Sequence, residues 1–201
     1  MAASPPPVVE RLASPIDERF ASLVVERFGP IEEILDAFRG ALGADHRAYR
    51  AHVYRVFHFC RALAGPASAG RDDGIALAAA FHDLGIWSDG TVDYLPPSAR
   101  RVREHCERHG RAGEAAELAR MVELHHKLTP CRGADDALVE AFRRADLVDL
   151  SFGFVRFGLP RAWVGEVQAA FPDAGFHLRV AQLVGGHALR HPLRPLPMLR
   201  L

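Results

Sequence analysis

Four stretches of this 201-residue chain place metal-ligating side chains inside apolar helical patterns: His52 in HVYRV, the adjacent His82-Asp83 in AAAFHDLG, His125-His126 in ELHHK, and Asp146 in RRADLVD. Asp146 makes the strongest physical demand. Phe142 stands one turn before it and Leu147, Val148 and Leu150 follow, so one side of this carboxylate must face a core. An unpaired buried charge costs on the order of several kcal/mol or forces neutralisation. A divalent cation held jointly by imidazole nitrogens removes that cost. Imidazole with carboxylate suits manganese, iron, cobalt, nickel or zinc better than calcium.

Each feature taken alone has a plainer reading. A single His on an apolar face is ordinarily a hydrogen-bonded core residue. His82-Asp83 fits a helix C-terminus, with the imidazole near the negative end of the dipole and Asp capping the next turn. His125-His126 fits the boundary of an amphipathic helix. The metal reading requires all of these at once, and that coincidence is its support. His58, six residues after His52, falls about 120° around a helix of 3.6 residues per turn and should not share the same ion. His105 and His109 are spaced to ligate, but Arg103, Arg108 and Arg111 surround them and mark a solvated face.

The elements that must carry these groups are helical. Ser14-Pro15 opens a pattern of Ile16, Phe20, Leu23, Val24 and Phe28 that stops at Gly29-Pro30, and Ile31, Ile34, Leu35, Phe38 and Leu42 form a second up to Gly43. Tyr49, His52, Val53, Val56, Phe59, Cys60 and Leu63 form a longer one ending at Gly65-Pro66. The run IALAAAF before His82 is apolar on nearly all sides, as in a buried helix with polar groups protruding from its end. Residues 86–97 carry turn chemistry and read as a loop and pocket rim. Further helices are expected at about 98–109, 111–128, 135–150, 160–171 and 174–190. The three prolines of the tail, 191–201, cannot continue a helix. No useful strand alternation, phosphate-binding glycine motif or repeat occurs. The fold class is therefore all-α, organised as a loose arm over 1–14, one domain over 15–190 and the tail.

Composition narrows the partners. At 22.1 kDa, with 49% hydrophobic and 25% charged residues, the chain is an ordinary globular one that needs no staple. Lys plus Arg equals Asp plus Glu at 25 each, which leaves no excess positive charge for nucleic-acid phosphates or an anionic membrane. Cys60, Cys106 and Cys131 are odd in number and lack CxxC spacing, so reduced thiols and a cytoplasmic location are expected. No signal-like start or membrane-length apolar run is present.

Taken in order, His52, His82-Asp83 and Asp146 resemble the H…HD…D signature of the HD-domain superfamily, a helical group of mostly metal-dependent phosphohydrolases. HxxRV around the first His, an apolar run before HD with Leu-Gly after it, HH on a later helix, and AD followed by apolar residues are similar as well. YRAHVYRVFHFC, AAAFHDLGIW and DYLPPS look like a group of small HD-domain proteins. The resemblance covers roughly residues 45–155. It implies an HD-type helical bundle with His52, His82, Asp83 and Asp146 holding one divalent ion, and His125 or His126 adding ligands for a second or protonating the leaving group. Asp83 would both touch the metal and orient the water.

The activity this implies is hydrolysis of a phosphoester in a nucleotide or another small phosphorylated molecule, by a water that the metal acidifies. Arg55, one turn after His52, and Lys127 are candidates to share the phosphoryl charge. Trp87, Asp93 and Tyr94 on the rim are candidate substrate contacts, with an aromatic surface suited to a base. Two other readings belong beside this one: a di-iron oxygenase of HD-like fold that cleaves a carbon bond, and a non-catalytic domain that binds a nucleotide or partner.

Overall fold

The computed structural model describes residues 24–133 and 135–200, and among these it is all-α. Its helices are α1 (Gly29–Ala37), α2 (Arg39–Leu42), α3 (His46–Ala64), α4 (Asp72–Phe81), α5 (Gly85–Ser88), α6 (Leu95–Arg108), α7 (Ala112–Leu124), α8 (Ala137–Leu150), α9 (Arg161–Ala170) and α10 (Phe176–Arg190). No helix of the described residues is long and apolar enough to cross a membrane. The expected arm, 1–14, lies outside the described residues.

Helix α3 is the axis of the bundle. It buries Val53, Val56, Phe57 and Cys60, but also His52, Arg55 and His58, so polar groups are carried into the core on the same helix as the apolar ones. Its most extensive partner is α8, while α6 and α7 form a hairpin turned at Gly110, whose φ of 71° favours glycine. Helix α4 buries every residue from Gly74 to Phe81. At Gly74 a β-carbon would stand 3.2 Å from Glu114 Oε2 and 3.3 Å from Leu118 Cδ2, so α4 packs close to α7 and a larger residue would press on the ends of those two side chains.

The periodicity located most helices to within a few residues, with three differences. The helix expected to run to Phe28 falls partly on 15–23, outside the described residues, and the described part, 24–28, is irregular. There Phe28 is extended, its amide donates to Tyr54 Oη at 2.7 Å, and Gly29-Pro30 starts α1 rather than merely ending a helix. Proline suits the first turn, where its missing N–H is not needed. The expected loop 86–97 shrinks to 89–94, because α5 takes Gly85–Ser88 and α6 begins at Leu95, carrying Pro96 and Pro97 in its first turn. The apolar run from Ile31 to Leu42 breaks at Phe38, where φ −106° and ψ 13° leave the helical range.

The tail is not a helix, as its prolines require, yet it is docked. Met198 is buried with Ile86, Tyr94 and Leu95, and the Leu128 amide donates to the Arg200 carbonyl at 2.8 Å.

Candidate metal centre

Four helices deliver the ligating groups. His52 projects from the middle of α3 and Asp146 from α8, the two helices packed along one another. The other groups leave helix ends. His82 caps the C-terminus of α4, and His125 caps the C-terminus of α7. Each of these two rings aims Nδ1 at the carbonyl three residues back, His82 at Ala79 and His125 at Val122, both at 2.7 Å. A helix C-terminus leaves such carbonyls without partners, so an Nδ1–H here satisfies the backbone and fixes the tautomer at once. Nε2 is then free of its proton on both rings and faces inward.

The inward atoms converge. His52 Nε2 lies 2.9 Å from His82 Nε2, 3.6 Å from Asp83 Oδ2 and 3.7 Å from Asp146 Oδ1. His82 Nε2 lies 3.5 Å and 3.8 Å from the same two oxygens. Ligand atoms bonded to one ion at about 2.0–2.2 Å stand about 3.0–3.5 Å apart, and the five separations here, 2.9–3.8 Å, straddle that range. The other carboxylate oxygens turn to the second histidine pair. Asp83 Oδ1 lies 3.3 Å from His125 Nε2, and Asp146 Oδ2 lies 3.4 Å from His126 Nδ1. Both aspartates therefore stand between His52-His82 on one side and His125-His126 on the other.

The fit to a cation is tested by hydrogen bonding. Asp83 Oδ1, both Asp146 oxygens and His125 Nε2 are buried without a hydrogen-bond partner. Leaving such an atom unpaired costs about 1–3 kcal/mol, and more for a charged group, so four at one point are a large debt for a helical core to carry. Three overlapping triads, His52-His82-Asp146, His82-Asp83-His125 and His125-His126-Asp146, bring their ligand atoms within 4.8 Å of one another. The buried His and Asp groups can hold a metal ion.

The electrostatics of these side chains follow from this crowding. Burial raises Asp146 to about 7, opposed by the charges of His125 and His52 and reinforced by that of Asp83. Burial also drives His82 down to about 3 and His126 well below its ordinary value. For His52 burial acts downward too, but hydrogen bonds and charge from Asp149 and Asp83 outweigh it and raise the ring to about 9.

Sequence reasoning missed Asp149. Its Oδ2 lies 2.6 Å from His52 Nδ1, and Arg55 Nε and Nη2 donate to its two oxygens at 2.5 and 2.9 Å. The signal was available as spacing: Arg55 follows His52 by three residues on α3, and Asp149 follows Asp146 by three on α8, so two apposed faces carry two polar pairs.

The expected substrate contacts are mostly engaged elsewhere. Arg55 is 2% exposed and lies on the Nδ1 side of His52, bound to Asp149 and to the Phe171 carbonyl, so it cannot face a phosphoryl group at Nε2. Lys127 reaches Thr129. Trp87 donates from its indole to Asp45 at 2.9 Å and packs on Tyr49, and Asp93 pairs with Arg194. Tyr94 does reach the centre, its hydroxyl 2.6 Å from His126 Nε2. His58 is buried against Phe171 with Nε2 3.1 Å from the Val25 carbonyl and joins none of the triads. His105 and His109 also join none, stacking on each other at 4.0 Å. His105 is only 8% exposed, so the face expected to be solvated is partly covered at that residue.

No family model, curated protein or solved structure matches this chain.

Proposed function

We propose that the chain is an HD-type, divalent-metal-dependent phosphohydrolase acting on a nucleotide or another small phosphorylated molecule, with Asp83 and Asp146 as carboxylates that both histidine pairs would share. The observation that carries this reading is the split of both carboxylates between two histidine pairs, together with four buried ligand atoms that have no hydrogen-bond partner. His52 and His82 would hold one ion with these carboxylates, and His125 and His126 would hold a second. Bound there, the ions supply the charge that polarises a phosphoryl oxygen and lowers the pKa of water toward neutrality.

The chain's own residues do the rest. His52, His82 and His125 are oriented through Nδ1 and present Nε2. His126 is the ligand with an open edge, its side chain 16% exposed against 0% for His125, so substrate approaches on its side. Phe142 sits edge-on to both His82 and His125, and Phe176 stacks on His52 at 3.9 Å, which keeps water from the back of the ligands. Arg55 and Lys127 reach other partners, so neither is placed to share the phosphoryl charge.

The same six ligands suit two irons, so the oxygenase reading stands as the rival. Metal analysis of protein purified without chelator, followed by a screen of nucleotides and generic phosphoesters with added manganese, cobalt or nickel, separates them. Two bound ions and metal-dependent phosphate release are expected. Bound iron with oxygen uptake and no phosphate release would replace the hydrolase by the oxygenase, and metal-free, inactive protein would remove both.

A further inference from the structure

We infer that Asp149, locked by Arg55, is a positioning residue of the metal centre, through which α9 and α10, elements that donate no ligand, set its metal affinity. The inference rests on the metal reading above but not on the choice between hydrolase and oxygenase.

The observations are geometric. Asp149 is 1% exposed and both of its oxygens are fully used: Oδ1 accepts from Arg55 Nε, and Oδ2 accepts from Arg55 Nη2 and faces His52 Nδ1. The third arm of the guanidinium, Nη1, donates to the Phe171 carbonyl at 2.9 Å, just past the end of α9. On the other side His177 Nε2 reaches the Asp149 carbonyl at 3.1 Å, and the His177 ring is held by Asp173. Phe176 covers the His52 ring at an interplanar angle of 13°. The segment from Phe171 to His177 thus grips Asp149, Arg55 and the face of His52 together.

The consequence for the metal is a fixed tautomer. With a carboxylate at Nδ1, His52 keeps its proton there and presents the Nε2 lone pair to the ion, in one ring orientation and with raised basicity. His82 and His125 are held by carbonyl oxygens instead, so among these three ligands His52 alone is backed by a charge. An asparagine cannot replace this aspartate. Whichever way its amide is turned, the NH2 meets an N–H donor of Arg55, or the Nδ1–H of His52 as well, and no orientation offers two acceptors.

The test is cobalt titration of the full chain, followed by its visible ligand-field absorption and by competition with a chromophoric chelator. Melting of the metal-free protein is run alongside. For Asp149→Asn the tighter cobalt affinity should fall about 10–100-fold, with an altered cobalt spectrum. Arg55→Lys keeps the charge but not the fork, and should give a smaller loss in the same direction. Phe176→Leu, which keeps apolar cover without the stacked ring, should shift the spectrum while the protein stays folded. If wild type binds no cobalt, the metal reading itself fails. If wild type binds and folded Asp149→Asn and Arg55→Lys bind with wild-type affinity and spectrum, the positioning role is overturned. If Asp149→Asn does not fold, Arg55→Lys and Phe176→Leu decide by the same readouts.

Discussion

Tyr94 Oη lies 2.6 Å from His126 Nε2, and this contact determines which nitrogen of His126 faces Asp146. For Nδ1 to ligate, Nε2 must carry the proton and donate it to the phenol oxygen. Tyr94 is fit to accept, since burial, followed by the charges of Asp83 and Asp146, holds its hydroxyl well above the usual titration range and keeps it neutral. Tyr94→Phe preserves the packing on Met198 and Leu95 but removes that acceptor. The second cobalt ion should then bind about tenfold more weakly while the first is unaffected, as read by chelator competition. Two ions bound at wild-type affinity would show that Tyr94 has no part in holding His126.

On the proposed reading the His52 proton and a metal ion would compete for one nitrogen. In the metal-free protein a doubly protonated His52 donates from Nδ1 toward Asp149 and from Nε2 to the neutral His82, 2.9 Å away, which is consistent with its pKa of about 9. The folded value lies above the unfolded one of about 6.5, so this stabilisation is complete below pH 6.5 and is lost as pH rises through 9. Metal-free protein should lose about 2–3 kcal/mol between pH 7 and 10. Asp146, raised to about 7, has given up most of its own contribution by the start of that window. Metal binding expels the proton, so apparent affinity should rise by up to about tenfold per pH unit toward 9. Thermal melts with and without chelator across this range check both slopes. A metal-free stability that rises with pH would contradict the protonated pair.

Asp83 and His58 form a contrasting pair for mutation. Asp83 touches both histidine pairs, so Asp83→Ala should cut bound metal to below one ion per chain and abolish turnover. His58 is equally buried, on the helix of His52, but faces Val25 and Phe171. His58→Ala should lower the melting temperature through lost packing, at a cost of about 1–3 kcal/mol, and leave bound metal unchanged. Metal counted per chain in the two purified variants gives the answer, and full metal in the first would refute the assignment of Asp83.

What the sequence made legible is the part of the site that depends on side-chain type within a helical repeat. His52, His82, Asp83 and Asp146 stand out because charge or imidazole interrupts apolar periodicity, and the structure brings their ligand atoms together. Arg55 is the instructive exception. Its helical phase places it near the His52 face, but only packing against α8 reveals that it binds the side of His52 away from the centre. Asp149 went unread because an aspartate near a helix end has many ordinary uses, and its partner lies 97 residues away. The docking of the tail was equally hidden. Prolines forbid a helix over 191–201, yet nothing local says that Met198 will settle beside Tyr94.

Gly85 follows Asp83 by two residues, and the structure gives that spacing a steric cause. A β-carbon there would stand 2.8 Å from the Tyr94 carbonyl, 3.0 Å from Ser98 Oγ and 3.1 Å from Pro97 Cγ, while the Gly85 amide donates to Ser98 Oγ at 3.0 Å. The chain leaving His82-Asp83 must therefore fold flat against the start of α6, the segment that carries Tyr94 to His126. The carbonyl is backbone and cannot swing aside, so Gly85→Ala pushes α5 away from α6. It should destabilise the fold by about 1–3 kcal/mol and loosen the Tyr94–His126 contact in the same stroke. Denaturant unfolding and cobalt titration of that variant measure the two effects. Wild-type stability together with wild-type binding of the second ion would mean that the backbone yields here at no cost, and that the approach of α6 does not position His126.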